Sequence, residues 1–285
     1  MPLIQAGEIK LNYAEYGSGD NIIVYIHGNL SCLNWNDLIW PRLPKNFHAF
    51  AIDWRGCGDS EKPLPTKDYE NYSIKQHAAD MVNAIKAMGI KKCGLATHST
   101  GGIISTYMLL DEPDLFTKVL ALDPASPRGV EMQMEYTKFF QALKDSRDAT
   151  FNALAAVAPS LFIKESLAPE AAAQFHPETS EEQRNLFHLL IDKTRVLSDG
   201  IWFGTGFHLA RERRAGTLVQ SVHKIQQPHL VLWGERDIII PRADMEEMPG
   251  LFPNCQLRII KNAGHCLNIE DPDLYAQIFT EFFAK

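Results

Sequence analysis

Five consecutive apolar residues, Ile22-Ile23-Val24-Tyr25-Ile26, stop abruptly at His27-Gly28. A run this short, rich in β-branched side chains and without polar alternation, reads as a strand buried on both faces. Two-sided burial belongs to parallel sheets, whose crossover helices cover both faces. The pattern recurs in Phe47–Ile52, which ends at Asp53, and in Cys93–Thr97, Lys118–Leu122, His229–Trp233 and Gln256–Ile260. Helices stand between these runs. Ser73 is placed to cap one whose inner face is Ile74, Ala78, Met81, Val82 and Ile85, with Gly89 to stop it. Others are expected at Gly101–Leu110, ending before Pro113, at Ala243–Leu251, and after Pro272. Strands and helices alternating in this way imply right-handed crossovers and a mostly parallel α/β sheet with helices on both sides.

The rhythm fails between Pro127 and Gly216. No convincing strand occurs there, and helices are expected at Met132–Asp145, Asp148–Val157 and Glu181–Leu197. The segment 127–216 therefore reads as a helical cap inserted into a core made of 1–126 and 217–285. Insertions at the carboxyl end of such a sheet commonly cover the site formed there. A chain of 285 residues, 45% of them hydrophobic, can bury one large core and an accessory unit but not several independent domains.

The formal net charge of -7 argues against a nucleic-acid partner, which needs clustered Lys and Arg to displace counterions. The one dense basic run, Arg211, Arg213 and Arg214, is interrupted by Glu212 and reads as a solvated helix face. The residues from Met1 to Tyr16 contain no apolar stretch of signal-peptide length, and no window approaches a membrane span, so a cytoplasmic location is expected. Five scattered cysteines, Cys32, Cys57, Cys93, Cys255 and Cys266, fit free thiols better than a disulfide framework. None of the ten histidines forms a recognisable metal-ligand pair, and neither metal nor cofactor is expected.

The sharpest chemical signal is Thr97-His98-Ser99-Thr100-Gly101-Gly102 at a strand-to-helix junction. Acyl transfer needs a hydroxyl held out of the backbone at a tight turn, with small neighbours that let strand and helix approach. Gly101 and Gly102 meet that need, whereas Thr97 puts a β-branched side chain where a glycine is usual. Taken alone, a serine here reads as a helix N-cap.

With its neighbours the chain resembles the α/β-hydrolase fold superfamily, in its capped esterase, haloperoxidase-like and epoxide-hydrolase-like branch. The resemblance rests on five motifs in order: His27-Gly28-Asn29, Asp53-Trp54-Arg55-Gly56-Cys57-Gly58-Asp59-Ser60, the turn at Ser99, Gly234-Glu235-Arg236-Asp237 and Asn262-Ala263-Gly264-His265. It covers nearly the whole chain outside the cap. It implies a mostly parallel eight-stranded sheet with the cap after the sixth strand, and a Ser99 nucleophile with His265 as base and Asp237 as orienting acid. Asp123, at the end of an earlier strand, is a rival for the acid, and Glu235 is a third option. The backbone N–H groups of Asn29 and Thr100 would hold the oxyanion. Dehalogenases of the superfamily carry a similar His-Gly-Asn sequence, but they and the epoxide hydrolases attack with a carboxylate, and a serine at position 99 argues against both activities.

The expected activity is hydrolysis of a small-molecule carboxylic ester, cyclic lactones included, through an acyl-enzyme, in a monomer or homodimer with no nucleic-acid or membrane partner. The same machinery would serve a carbon-carbon bond hydrolase or a cofactor-free haloperoxidase-like enzyme. A ligand-sensing protein with slow turnover is a third reading, kept open by Thr97. The Gly-Gly-Pro-Gly run of a proline aminopeptidase is absent after His27. Met132, Met134, Phe139, Phe140, Trp202, Phe203 and Phe207 supply apolar cap surface. Trp202, Phe203 and Phe207, beside Gly204 and Gly206, are expected to line the substrate site, with His208 as a polar contact.

Overall fold

Two strands that the sequence pattern does not announce, β1 (Leu3–Ala6) and β2 (Ile9–Gly17), begin the chain. Their burial is partial, so they lack the continuous apolar signal of the strands that follow. The computed structural model describes residues 2–132, 135–168 and 171–284. After β2 come β3 (Asn21–Ile26), β4 (Phe47–Ile52), α1 (Ile74–Ala87), β5 (Cys93–His98), α2 (Gly101–Asp111) and β6 (Phe116–Leu122). One eight-stranded sheet forms in the order β1-β2-β4-β3-β5-β6, followed by β7 (His229–Gly234) and β8 (Cys255–Ile260), both from beyond the insertion. Strand β2 is antiparallel to β1 and β4, and every other neighbour pair is parallel.

The two-sided burial inferred for β3 is literal. Val24 and Ile26 pack with Met81, Ile104 and Met108 on one face, while Ile23 and Tyr25 pack with Trp40 and Phe279 on the other. Helix α2 is buried along nearly its whole length, which places the residues before it deep in the molecule.

Between β6 and β7 the described chain is helical, with α3 (Tyr136–Asp145), α4 (Arg147–Val157), α5 (Glu181–Thr194) and α6 (Thr205–Ala215). Ser146 caps α4 by accepting from the Ala149 N–H. Ser180 and Gln183 cap α5 reciprocally. Helix α5 stops at Thr194 instead of Leu197, and α3 begins at Tyr136 instead of Met132, with residues 133 and 134 outside the described set. A turn of π-helix at Gly200–Gly204 leads into α6, which Gly216 ends with a φ of 61°. The basic run on α6 ties it to its surroundings, Arg211 to Glu70 and Arg213 to Asp244 at 3.6 Å.

Helices α7 (Arg242–Leu251), α8 (Leu267–Glu270) and α9 (Pro272–Phe283) complete the fold. All five cysteines are free. Among the described residues no helix is long and apolar enough to cross a membrane.

Candidate active site

Ser99 follows the last residue of β5 with a φ of 52°, in the left-handed region that costs a residue with a Cβ about 1–3 kcal/mol. Three backbone hydrogen bonds hold it there. Its N–H donates to Leu122 at 3.0 Å, and its carbonyl accepts from Gly102 at 2.9 Å and Ala125 at 2.8 Å. The surroundings are as tight as the turn demands. A Cβ at Gly28 would fall 2.9 Å from the Cβ of Ser99, and one at Gly101 would fall 2.4 Å from the Ile26 carbonyl oxygen. Thr97 is accommodated fully buried, paired with Ile26 on β3 and Ala121 on β6. No side chain caps α2, and the Ser99 hydroxyl has no hydrogen-bond partner among the described residues.

His265 sits in the loop after β8, where four contacts fix the backbone. Its N–H donates to Val157 at the end of α4 (2.8 Å), and its carbonyl accepts from Nε2 of His98 (2.8 Å). Glu270 Oε1 accepts from the N–H groups on either side, Gly264 at 2.8 Å and Cys266 at 3.2 Å. Nδ1 of the imidazole lies 2.8 Å from Oδ2 of Asp237, so Nε2 is the nitrogen left for other work. The other Asp237 oxygen accepts from the Ile239 and Ile240 N–H groups at 2.6 and 3.2 Å. Burial works to raise the Asp237 pKa, but His265 and these N–H groups outweigh it and hold the carboxyl below its ordinary value.

Asp123 directly follows β6 with a φ of 42°, fully buried, and its Oδ1 accepts from the Gly234 N–H at 2.8 Å. Burial and the nearby Asp237 charge push its carboxyl well above the usual range. Glu235 is exposed, and the structure gives it no contact with His265. Asp123, Asp237 and His265 form the one three-donor cluster found among the described residues. That is fewer ligands than a closed zinc site takes, and Nδ1 and Oδ2 are already engaged with each other.

Ser99 and His265 border one cavity of about 200 Å³. Asn29, His98 and Thr100 are on the same wall, and the rest is mostly apolar, including Leu30, Trp35, Val130, Phe140, Leu143 and Leu209. Among the described residues no Lys, Arg, Asp or Glu lines it. The backbone N–H groups of Asn29 and Thr100 donate to no protein acceptor among the described residues. The loop carrying Asn29 is shaped by His27, whose Nδ1–H donates to the Gly28 carbonyl at 2.8 Å while Nε2 accepts from the Trp54 N–H at 3.3 Å. Burial lowers the His27 pKa to about 4, so the ring is neutral and structural. The motif beginning at Asp53 is structural too. Asp53 accepts from the Leu33 N–H at 2.7 Å, and Arg55 makes a buried ion pair with Asp80.

Of the insertion residues named from sequence, Met132, Phe139 and Phe140 line the cavity, and Met134 lies outside the described residues. Trp202, Phe203, Phe207 and His208 are not on its wall. Trp202 and Phe203 belong to the core, the Phe207 ring lies tilted 6.2 Å from that of Tyr69, and Nε2 of His208 donates to the Tyr69 carbonyl at 2.9 Å. Helix α6 turns Leu209 toward the cavity and Phe207 and His208 toward Tyr69 in the segment after β4, an orientation that helical periodicity leaves undetermined. His98 and Glu270, which hold the His265 loop, carried no sequence signal beyond proximity to the motifs.

A family model described as the alpha/beta hydrolase fold matches residues 21–272. An uncharacterized hydrolase of Bacillus subtilis is 24% identical over 286 residues, covering 96% of this chain and 94% of the relative. Among solved structures, the enol-lactonase from Burkholderia xenovorans superposes with a TM-score of 0.77 at 18% identity, covering 100% of both chains. An esterase from Exiguobacterium antarcticum superposes with a TM-score of 0.75 at 19% identity, covering 99% of each. At these identities the likeness to the solved structures is one of fold. The match across most of its length, on the sheet just described, means that this chain belongs to the alpha/beta hydrolase fold family.

Proposed function

We propose that this chain is a serine hydrolase of carboxylic esters or lactones that works through an acyl-enzyme on Ser99. The observation that carries the reading is a serine held in a strained turn on the wall of an apolar cavity it shares with an imidazole, whose far nitrogen is bound to a buried carboxylate. Nε2 of His265 takes the Ser99 proton as Oγ attacks the carbonyl carbon, and Asp237 fixes the tautomer and balances the imidazolium. Hydroxyl and base commonly close to hydrogen-bond distance only once substrate is present. The oxyanion is received by the Asn29 and Thr100 N–H groups, the second of them at the start of α2 where free N–H groups point outward. The imidazolium then protonates the leaving alcohol, and water, deprotonated by His265, releases the acid.

The apolar wall suits an uncharged acyl group of modest size, since an unpaired buried charge is costly to desolvate. The segment 127–216 serves as the cap that supplies that wall, over a core of 1–126 and 217–285. The enzyme is cytoplasmic, acts on a small-molecule substrate without a cofactor, and works as a monomer or homodimer. Esterase and lactonase activities among proteins of the same fold support the choice of bond.

The test is a fluorophosphonate probe with mass-spectrometric mapping, alongside turnover of short-chain esters and lactones. Labelling confined to Ser99, and loss of both labelling and turnover in Ser99→Ala, is the expected result. Undiminished turnover in that variant would end the proposal.

A further inference from the structure

Beside the Asp237–His265 pair stands a second carboxyl that the proposed reaction does not consume. Asp123 has one oxygen on the Gly234 N–H, while its Oδ2 meets no N–H or hydroxyl donor among the described residues. One oxygen each of Asp123 and Asp237 and a nitrogen of His265 lie within 4.8 Å of one another. Two like charges that close in a buried site cannot both be sustained, and one carboxyl keeps its proton. The hydrogen bonds decide which. Asp237 has three donors to stabilise its charge, the imidazole and two N–H groups, whereas Asp123 has one. Among the described residues the other titratable groups interacting with Asp123 are acidic apart from the imidazole itself: Glu270 is half-buried, and Cys266 and Tyr275 are fully buried.

We propose that Asp123 is a neutral carboxylic acid at working pH, its proton on Oδ2 and donated to Asp237, and that it is a positioning residue holding Asp237 against His265. The inference rests on the reading of Ser99, His265 and Asp237 given above. It also gives the neutrality of Asp123 a purpose. A second carboxylate beside the imidazole would hold the imidazolium proton too firmly for release to the leaving group.

The experiment compares Asp123→Asn, which keeps a donor toward Asp237, with Asp123→Ala, which removes it. Asp123→Ala is expected to lower kcat about tenfold with KM unchanged, and Asp123→Asn to restore it with a pH profile of kcat/KM that overlays the parent. Infrared spectroscopy of the Ser99→Ala protein at pH 7 should show a protonated-carboxyl C=O band that disappears when Asp123→Asn is added. A band that survives this substitution overturns the proposal. So does an Asp123→Asn profile displaced by a full pH unit, which means that a charge was removed. Full activity in Asp123→Ala denies the positioning role, and an active Asp237→Asn with an inactive Asp123→Asn makes Asp123 the acid. The infrared band needs no turnover, so it reports on Asp123 even if Ser99→Ala removes the catalytic reading.

Discussion

Nε2 of His98 donates to the backbone carbonyl of His265 at 2.8 Å, tying the end of β5 to the loop after β8. The two rings lie 4.8 Å apart, and burial lowers the His98 pKa to about 3, so the tie is made by a neutral ring and survives mild acid. Ser99 is the next residue, so this bond links the stretches of backbone that carry Ser99 and His265. His98→Phe keeps the ring against Trp35 and removes the bond. Expected are a stability loss of about 1–3 kcal/mol from the orphaned carbonyl and a fall in kcat approaching 10²-fold as the imidazole drifts. Parent-like kinetics would show the tie to be idle.

Strain at Ser99 separates stability from activity. Ser99→Gly and Ser99→Ala should both be inactive, but glycine accepts the φ of 52° without a Cβ penalty. Ser99→Gly should therefore unfold at higher denaturant than Ser99→Ala, by about 1 kcal/mol. Equal midpoints would argue that the turn is not strained.

The cavity wall predicts how substrates rank. Each buried methylene is worth about 0.8 kcal/mol, or roughly fourfold in kcat/KM, until the space is full. A series of straight-chain acyl esters should rise at that rate and then fall. Phe140→Ala should move the peak to longer chains, and Leu143→Lys should depress kcat/KM on every neutral ester by about 10²-fold. An unmoved peak in Phe140→Ala would mean that the acyl group lies elsewhere.

Acid should loosen the fold through its buried histidines, two of which, His27 and His77, pack against Trp54. Burial holds His27 and His229 near 4, His98 near 3, and His77 well below its ordinary value. Each is neutral when folded and takes a proton on unfolding below about pH 6.5. Their stability is complete above that pH and drains as the pH falls toward 4. Asp123 and Glu270, pushed upward by burial, act in the opposite sense and offset part of the loss. In His229→Gln the drop in unfolding free energy between pH 7 and pH 5 should be smaller than in the parent by about 2 kcal/mol. Denaturant titrations at the two pH values measure it, and an unchanged drop would mean that His229 is already protonated in the native state.

Much of this was readable beforehand because the central parallel strands β3, β4 and β5 are buried on both faces and so carry few polar residues to blur their apolar runs. Strand β3 matched its apolar run to within one residue, whereas β1 and β2, partly exposed at the antiparallel end of the sheet, were invisible. Ser99, His265 and Asp237 were nameable because each sits just beyond a strand, in a motif of fixed order. The Asp123 carboxyl could be named but its protonation could not, since that depends on how many donors reach Asp237. The placement of Trp202 and Phe203 in the core depended on the rotation of one helical segment about its axis, which a moderately apolar stretch does not encode.

The bond from the His265 N–H to the Val157 carbonyl reaches from the reactive loop to the last residue of α4. A change in the length or tilt of that helix would shift the imidazole as well as the space above it. Variation that retunes which molecules fit is thereby constrained to leave one carbonyl in place, and loop grafts that ignore Val157 should yield proteins that admit new ligands and transform none of them.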